Sequence, residues 1–119
     1  MGTFSVSIQV GNLQETEFEE LTALVDTGAT TTVIPASSLR RLGVNPTTSQ
    51  TFEYDSGERV ELDMAEIRVR VEGRETGTWA VFGNDYAVAL LGTYNTLEGV
   101  FLGVDPYNRR LVPVQGILK

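Results

Sequence analysis

The sequence predicts an all-β domain with one or two short helices, and three observations point to it. Apolar and polar residues alternate at Phe4, Val6, Ile8 and Val10, and again at Ile67, Val69 and Val71, which is the period of a half-buried strand. Turn signals recur at short intervals: Gly11-Asn12, Asp55-Ser56-Gly57-Glu58, Glu72-Gly73, Asn84-Asp85 and Asp105-Pro106-Tyr107-Asn108. A continuous apolar run, Ala87 to Leu91, ends at Gly92, as expected of a strand buried on both faces.

The elements follow in order. Phe4 to Val10 is the first strand. A second leads through Leu21, Ala23 and Val25 into Asp26-Thr27-Gly28. Thr31-Thr32-Val33-Ile34 is a third, stopped by Pro35. A short helix is expected over about Ser37 to Leu42, capped by Ser37 or Ser38, with Gly43 at the favoured C-terminal glycine position. Thr51 to Tyr54 and Arg59 to Leu62 read as a hairpin around Asp55-Ser56-Gly57-Glu58. The Ile67 to Val71 strand ends at Glu72-Gly73, and Thr78 to Phe82 follows, with Trp79 expected in the core. Thr93 to Glu98 is the place for a second helix. Phe101 to Val104 and Leu111 to Val114 make a last hairpin. Ala23-Leu24-Val25-Asp26-Thr27-Gly28 and Ala89-Leu90-Leu91-Gly92 echo each other, each an apolar strand running into a glycine. With 119 residues and no linker or low-complexity tract, residues 1–119 are expected to form one domain.

Composition removes whole classes of chemistry. There is no cysteine, so disulfides, thiol catalysis and zinc–thiolate sites are excluded; a reducing, cytoplasmic location is the expectation. There is no histidine, which excludes serine–histidine triads and the common histidine metal sites. Lys119 is the only lysine and stands at the end of the chain. Acid–base chemistry therefore falls to carboxylates, tyrosine or arginine, and no metal or cofactor is called for. The net charge is −7, and Arg40-Arg41, Arg68/Arg70 and Arg109-Arg110 are pairs rather than a stripe, so no nucleic-acid partner is expected. No apolar run approaches the roughly 20 residues of a membrane helix. The start of the chain lacks a basic-then-apolar leader, and Val6 stands where a myristoylation signal wants Ser or Thr, so no membrane attachment is expected.

The chemically informative segment is Leu21-Thr22-Ala23-Leu24-Val25-Asp26-Thr27-Gly28-Ala29-Thr30. It sets a carboxylate at the mouth of a buried strand, followed by a hydroxyl donor and a glycine that permits a tight turn. A bare Asp-Thr-Gly arises by chance in roughly 2% of chains this long, so the triplet alone is as consistent with a plain turn. Its context is more specific. Leu24-Val25-Asp26-Thr27-Gly28-Ala29, with Leu90-Leu91-Gly92 and an intervening Val33-Ile34-Pro35 strand, resembles the retropepsin-like aspartic proteases. The resemblance runs along about residues 4 to 114, and Val104-Asp105-Pro106 with Arg110-Leu111-Val112-Pro113 looks like the end of bacterial and archaeal members.

That resemblance implies a closed or partly open β-barrel of the acid-protease fold and an aspartic endopeptidase. Such enzymes hydrolyse peptide bonds with two carboxylates that share one proton, one acting as general base on a water and the other polarising the scissile carbonyl. This chain offers one Asp-Thr-Gly, since Asp55, Asp63, Asp85 and Asp105 lack that context, and Asp55 and Asp105 read as solvated turn residues. The resemblance thus implies a homodimer in which Asp26 of each copy supplies half of the dyad. By the same resemblance Thr27 bonds across the interface, Gly28 offers its carbonyl to an extended substrate, and Ala29 and Thr30 line the cleft. Leu90, Leu91 and Gly92 form a second glycine loop. The Glu53 to Arg59 hairpin is the candidate flap, with Tyr54, Ser56 and Gly57 near substrate; Tyr54 also reads simply as a partly exposed strand residue.

Three departures bear on substrate affinity, dimer strength and flap behaviour. Thr30-Thr31 stands where some retroviral members carry an acidic pair, Thr93 where a basic residue often follows the second glycine, and the flap tip holds only Gly57. The acids around the flap, Glu53, Asp55, Glu58, Glu61 and Asp63, either favour basic substrates or keep an exposed hairpin soluble. Two other readings stay open: a non-catalytic dimeric peptide-binding module of the same fold, and a structural β domain. Retention of Asp, Thr and Gly together favours the enzyme. Release from a longer precursor by self-cleavage is a further expectation.

Overall fold

The computed structural model describes residues 3–115 and residue 118. The leader and myristoylation expectations at Met1 and Gly2, and Lys119, lie outside the described residues.

Among the described residues the strands are β1 (Phe4–Gly11), β2 (Phe18–Val25), β3 (Thr32–Pro35), β4 (Thr48–Glu53), β5 (Arg59–Val71), β6 (Arg74–Gly83), β7 (Ala89–Leu91), β8 (Leu102–Asp105) and β9 (Arg110–Pro113), with one α-helix, α1 (Ala36–Arg41). β1, β2, β7, β3, β6 and β5 are bonded in that order, and β5 pairs back onto β1 from Ile8↔Val71 to Gly11↔Arg68. The result is a closed six-stranded barrel, as the resemblance implies. Each of the six is paired on both sides over part of its length. Its interior is the predicted apolar set: Ile8, Val10, Val25, Ile34, Ile67, Val69 and Leu91 are at most 1% exposed. The alternation of β1 is a true inside–outside pattern, with Ile8 and Val10 buried and Ser5, Ser7 and Gln9 exposed.

Several elements differ from the expectation. The expected Arg59–Leu62 and Ile67–Val71 strands are one 13-residue strand, β5. Its first part pairs with β4, Glu53↔Arg59 to Thr48↔Met64, and its second part with β6, Met64↔Val81 to Val71↔Arg74. One strand thus serves both the β4–β5 hairpin and the barrel wall. The Ala87–Leu91 run forms strand only at Ala89–Leu91, because Asn84 turns the preceding backbone: its Oδ1 accepts the Tyr86 N–H and its carbonyl the Ala87 N–H. Val88 is left 54% exposed, so that run is not buried throughout. Trp79 is 39% exposed on β6 rather than in the core, because its neighbours Thr78 and Ala80 take the inward face.

The expected serine cap on α1 is replaced by a distant residue. Pro35 occupies the cap position, Asp85 Oδ1 accepts the Ser37 N–H at 2.7 Å, and Ser38 is buried. Gly43 follows the helix with φ +76°, as expected of a C-terminal glycine. The second helical segment is a wide turn at Thr93–Leu97, followed by a tight turn at Glu98–Val100. β8 and β9 form the expected last hairpin as a separate two-stranded sheet, and Pro113 lies within it opposite Leu102. Asp105 is tied into its turn by Asn108 and Arg110 rather than simply solvated.

An ion cluster braces the barrel seam. Glu75 on β6 receives Arg68 Nε at 2.8 Å and Arg70 Nε at 2.7 Å from β5, and the Arg70 guanidinium lies 3.6 Å from the centre of the Phe18 ring on β2. Arg70 first and then Arg68 hold the Glu75 carboxyl down from 4.5 to about 2. A carboxyl lowered by folding stabilises the fold in full above its unfolded value, and that contribution fades as pH falls through the folded one. The Tm difference between the native chain and Glu75→Gln is therefore expected to be constant above about pH 5 and to shrink between about 4.5 and 2. A Tm difference that stays constant down to pH 2 would show that the carboxylate charge contributes nothing here.

Candidate active site

β2 carries Asp26 to one end of the barrel. Val25, fully buried, anchors the strand end, and the next residue is half-buried as the chain leaves the sheet. Asp26 turns the backbone twice over: its carbonyl accepts the Ala29 N–H at 2.9 Å, and its Oδ1 accepts the Gly28 N–H at 2.9 Å. The second bond fixes the direction of the carboxylate relative to the turn. Thr27, Gly28 and Thr30 are exposed around it, and Ala29 is half-buried.

The two echoing segments lie side by side. β2 and β7 pair in parallel with Ala23↔Ala89, Leu24↔Leu90 and Val25↔Leu91, so Gly92 leaves the sheet beside Asp26. β3 packs on the other edge of β7 through Val33↔Leu90. Beyond Gly92, Thr93 donates its N–H at 3.0 Å and its Oγ1 at 3.1 Å to the Ala29 carbonyl. Gly92 itself donates its N–H to Thr32 Oγ1 at 2.8 Å. A Cβ on Gly92 would stand 2.6 Å from Thr32 N and 2.7 Å from Thr30 O, so the two loops meet backbone to backbone. Glycine is required there by close approach, not by its own conformation, since its φ of −73° and ψ of 137° suit any residue.

The structure thus brings together Asp26, Gly28, Ala29, Thr30, Leu90, Leu91 and Gly92. Tyr54, Ser56 and Gly57 are at the tip of the β4–β5 hairpin. Their bonds are local: Tyr54 N–H to Glu58 O, Gly57 N–H to Tyr54 O, and Glu58 N–H to Ser56 Oγ. Tyr54 is 55% exposed, and Gly57 takes φ +88°, where glycine is favoured. Sequence reasoning passed over Thr32, Thr78 and Thr96, whose hydroxyls meet behind the Asp26 loop. The one available signal was the phase of β3, in which Thr32 shares the inward face with Ile34.

The barrel and the Asp26 turn are those expected of the retropepsin-like aspartic proteases, and comparison with known proteins gives the same family. The family model described as "gag-polyprotein putative aspartyl protease" matches residues 6–98. The chain belongs to this family. The C-terminal hairpin, β8 and β9, lies beyond the matched residues. The fold is also similar to the solution structure of the simian foamy virus (mac) protease, with a TM-score of 0.54 and 20% sequence identity over 76% of this chain and 88% of that one. Among curated proteins, none matches this sequence.

Proposed function

We propose that the protein is an aspartic endopeptidase that works as a homodimer, with Asp26 of each copy forming the catalytic dyad. The observation that carries this reading is the Asp26 turn clasped by Gly92 and Thr93 at the end of a retropepsin barrel. The dyad activates a water: the ionised carboxylate takes its proton, and the protonated one polarises the scissile carbonyl and then helps protonate the leaving amine. A chain with no histidine or cysteine has the residues for this chemistry and lacks those for the thiol or serine routes.

One Asp-Thr-Gly per chain calls for a second chain. A surface for it adjoins the site: an apolar groove of about 460 Å³ begins at Thr93 and continues over Leu97, Leu102 and Val104, with Phe101 61% and Val114 50% exposed along it. Exposed apolar surface of this kind favours burial against a partner, and a second copy satisfies the dyad at the same time. Gly28 and Ala29 would then meet an extended peptide, and the β4–β5 hairpin, with Tyr54, Ser56 and Gly57 at its tip, would close over it as a flap.

The test is cleavage of unfolded casein between pH 4 and pH 7 by the native chain and by Asp26→Asn, with a statine-type transition-state mimic as inhibitor. Cleavage that favours the acidic side, is blocked by the mimic and is lost in the variant supports the reading. A rate that climbs steadily from pH 5 to pH 9 contradicts it. No cleavage by a preparation shown to be dimeric favours a peptide-binding module.

A further inference from the structure

Three buried threonines stand where valine would fill the same space. Thr32 and Thr96 have no exposed surface, and Thr78 is 4% exposed. A buried hydroxyl is unfavourable unless it is bonded, so the bonds are what distinguish these residues from valine. Thr32 Oγ1 accepts the Gly92 N–H at 2.8 Å and lies 2.5 Å from Thr96 Oγ1; Thr96 Oγ1 donates to Thr78 Oγ1 at 3.1 Å. A hydroxyl has one proton to give. Thr96 gives its proton to Thr78, so the proton between Thr32 and Thr96 comes from Thr32. The bonds therefore run one way, from Gly92 through Thr32 and Thr96 to Thr78, and bonds aligned in this way strengthen one another.

The relay ties four segments together: the loop at Gly92, the start of β3, the helical turn after β7, and β6. Thr32 directly follows the Asp26 loop, and Thr93, next to Gly92, holds the Ala29 carbonyl through two donors. Both ends of the clasp over Asp26 thus depend on Thr32 and Gly92 being in place. We propose that Thr32 and Thr96, closed off by Thr78, are positioning residues whose hydroxyl relay sets the placement of the Asp26–Ala29 turn. The kinetic consequence rests on reading Asp26 as the catalytic carboxylate; the placement does not.

The experiment compares the native chain, Thr96→Val and Thr96→Ser by NMR amide exchange and by kcat and KM for casein cleavage. In Thr96→Val the Gly92 and Thr93 amides are expected to exchange about tenfold faster or more, while the Val10 and Val69 amides stay within about twofold of native. The same variant should lose about tenfold in kcat with little change in KM, and Thr96→Ser should restore both readouts. If Thr96→Val does not fold, Thr78→Val, at the far end of the relay, carries the same expectations. Unchanged exchange at Gly92 and Thr93 would overturn the proposal, as would equal acceleration at Val10 and Val69. Should the native chain cleave nothing, the exchange data still decide the relay, and the enzymatic reading fails separately.

Discussion

Asp26→Asn is expected to lower casein cleavage by about 1,000-fold or more, because it removes the group proposed to exchange a proton with water. The substitution is nearly isosteric, and the Asn side-chain oxygen can still accept the Gly28 N–H that Asp26 Oδ1 accepts now. The turn and the barrel should therefore survive, and native and variant chains should unfold at similar urea concentrations. The dyad adds a sharper expectation. If each site needs one Asp26 from each copy, a fivefold excess of Asp26→Asn mixed with native chain and allowed to re-pair should cut native activity about sixfold, since most native chains would then sit in crippled dimers. Activity that is indifferent to the excess would mean that one chain is sufficient by itself or that the copies do not exchange; a mixing experiment with tagged chains separates these outcomes.

Gly92→Ala is expected to cost about 3 kcal/mol of stability and to abolish cleavage. The added methyl would stand 2.6 Å from Thr32 N, 2.7 Å from Thr30 O and 2.7 Å from Thr31 C. All three are backbone atoms, so no side chain can swing aside to make room. Relief requires separating Gly92 from the segment that carries Asp26, and that movement would pull on the Thr93 bonds to Ala29 and on the Gly92 bond to Thr32. Gly43→Ala is the contrasting control. Nothing lies within 4 Å of its added methyl, and only the φ of +76° opposes it, a conformational cost of about 1 kcal/mol. Equal urea midpoints for the two variants would show that the loops part easily, and the close approach at Gly92 would then carry no energetic weight.

The features legible from sequence are those set by neighbours in the chain. Strands show in sequence because burial alternates residue by residue, as in β1, where the inward Ile8 and Val10 are separated by an outward Gln9. The Asp26 turn shows because its bonds span two or three residues, all inside the Asp-Thr-Gly-Ala segment. The echo between Ala23-Leu24-Val25 and Ala89-Leu90-Leu91 was visible as similarity, but their parallel register was decided by the closing of the barrel. The same holds for Asp85, which caps α1 from 48 residues away, and for Trp79, whose exposure follows from the side of β6 that faces the interior. The threonines mark the limit most clearly. Thr30 is exposed and Thr32 is buried, although they are two residues apart and identical in type. What separates them is that the Thr32 hydroxyl is bonded to the Gly92 N–H and to Thr96 Oγ1, some 60 residues further on, and a hydroxyl's partner at that distance exists only once the chain has folded.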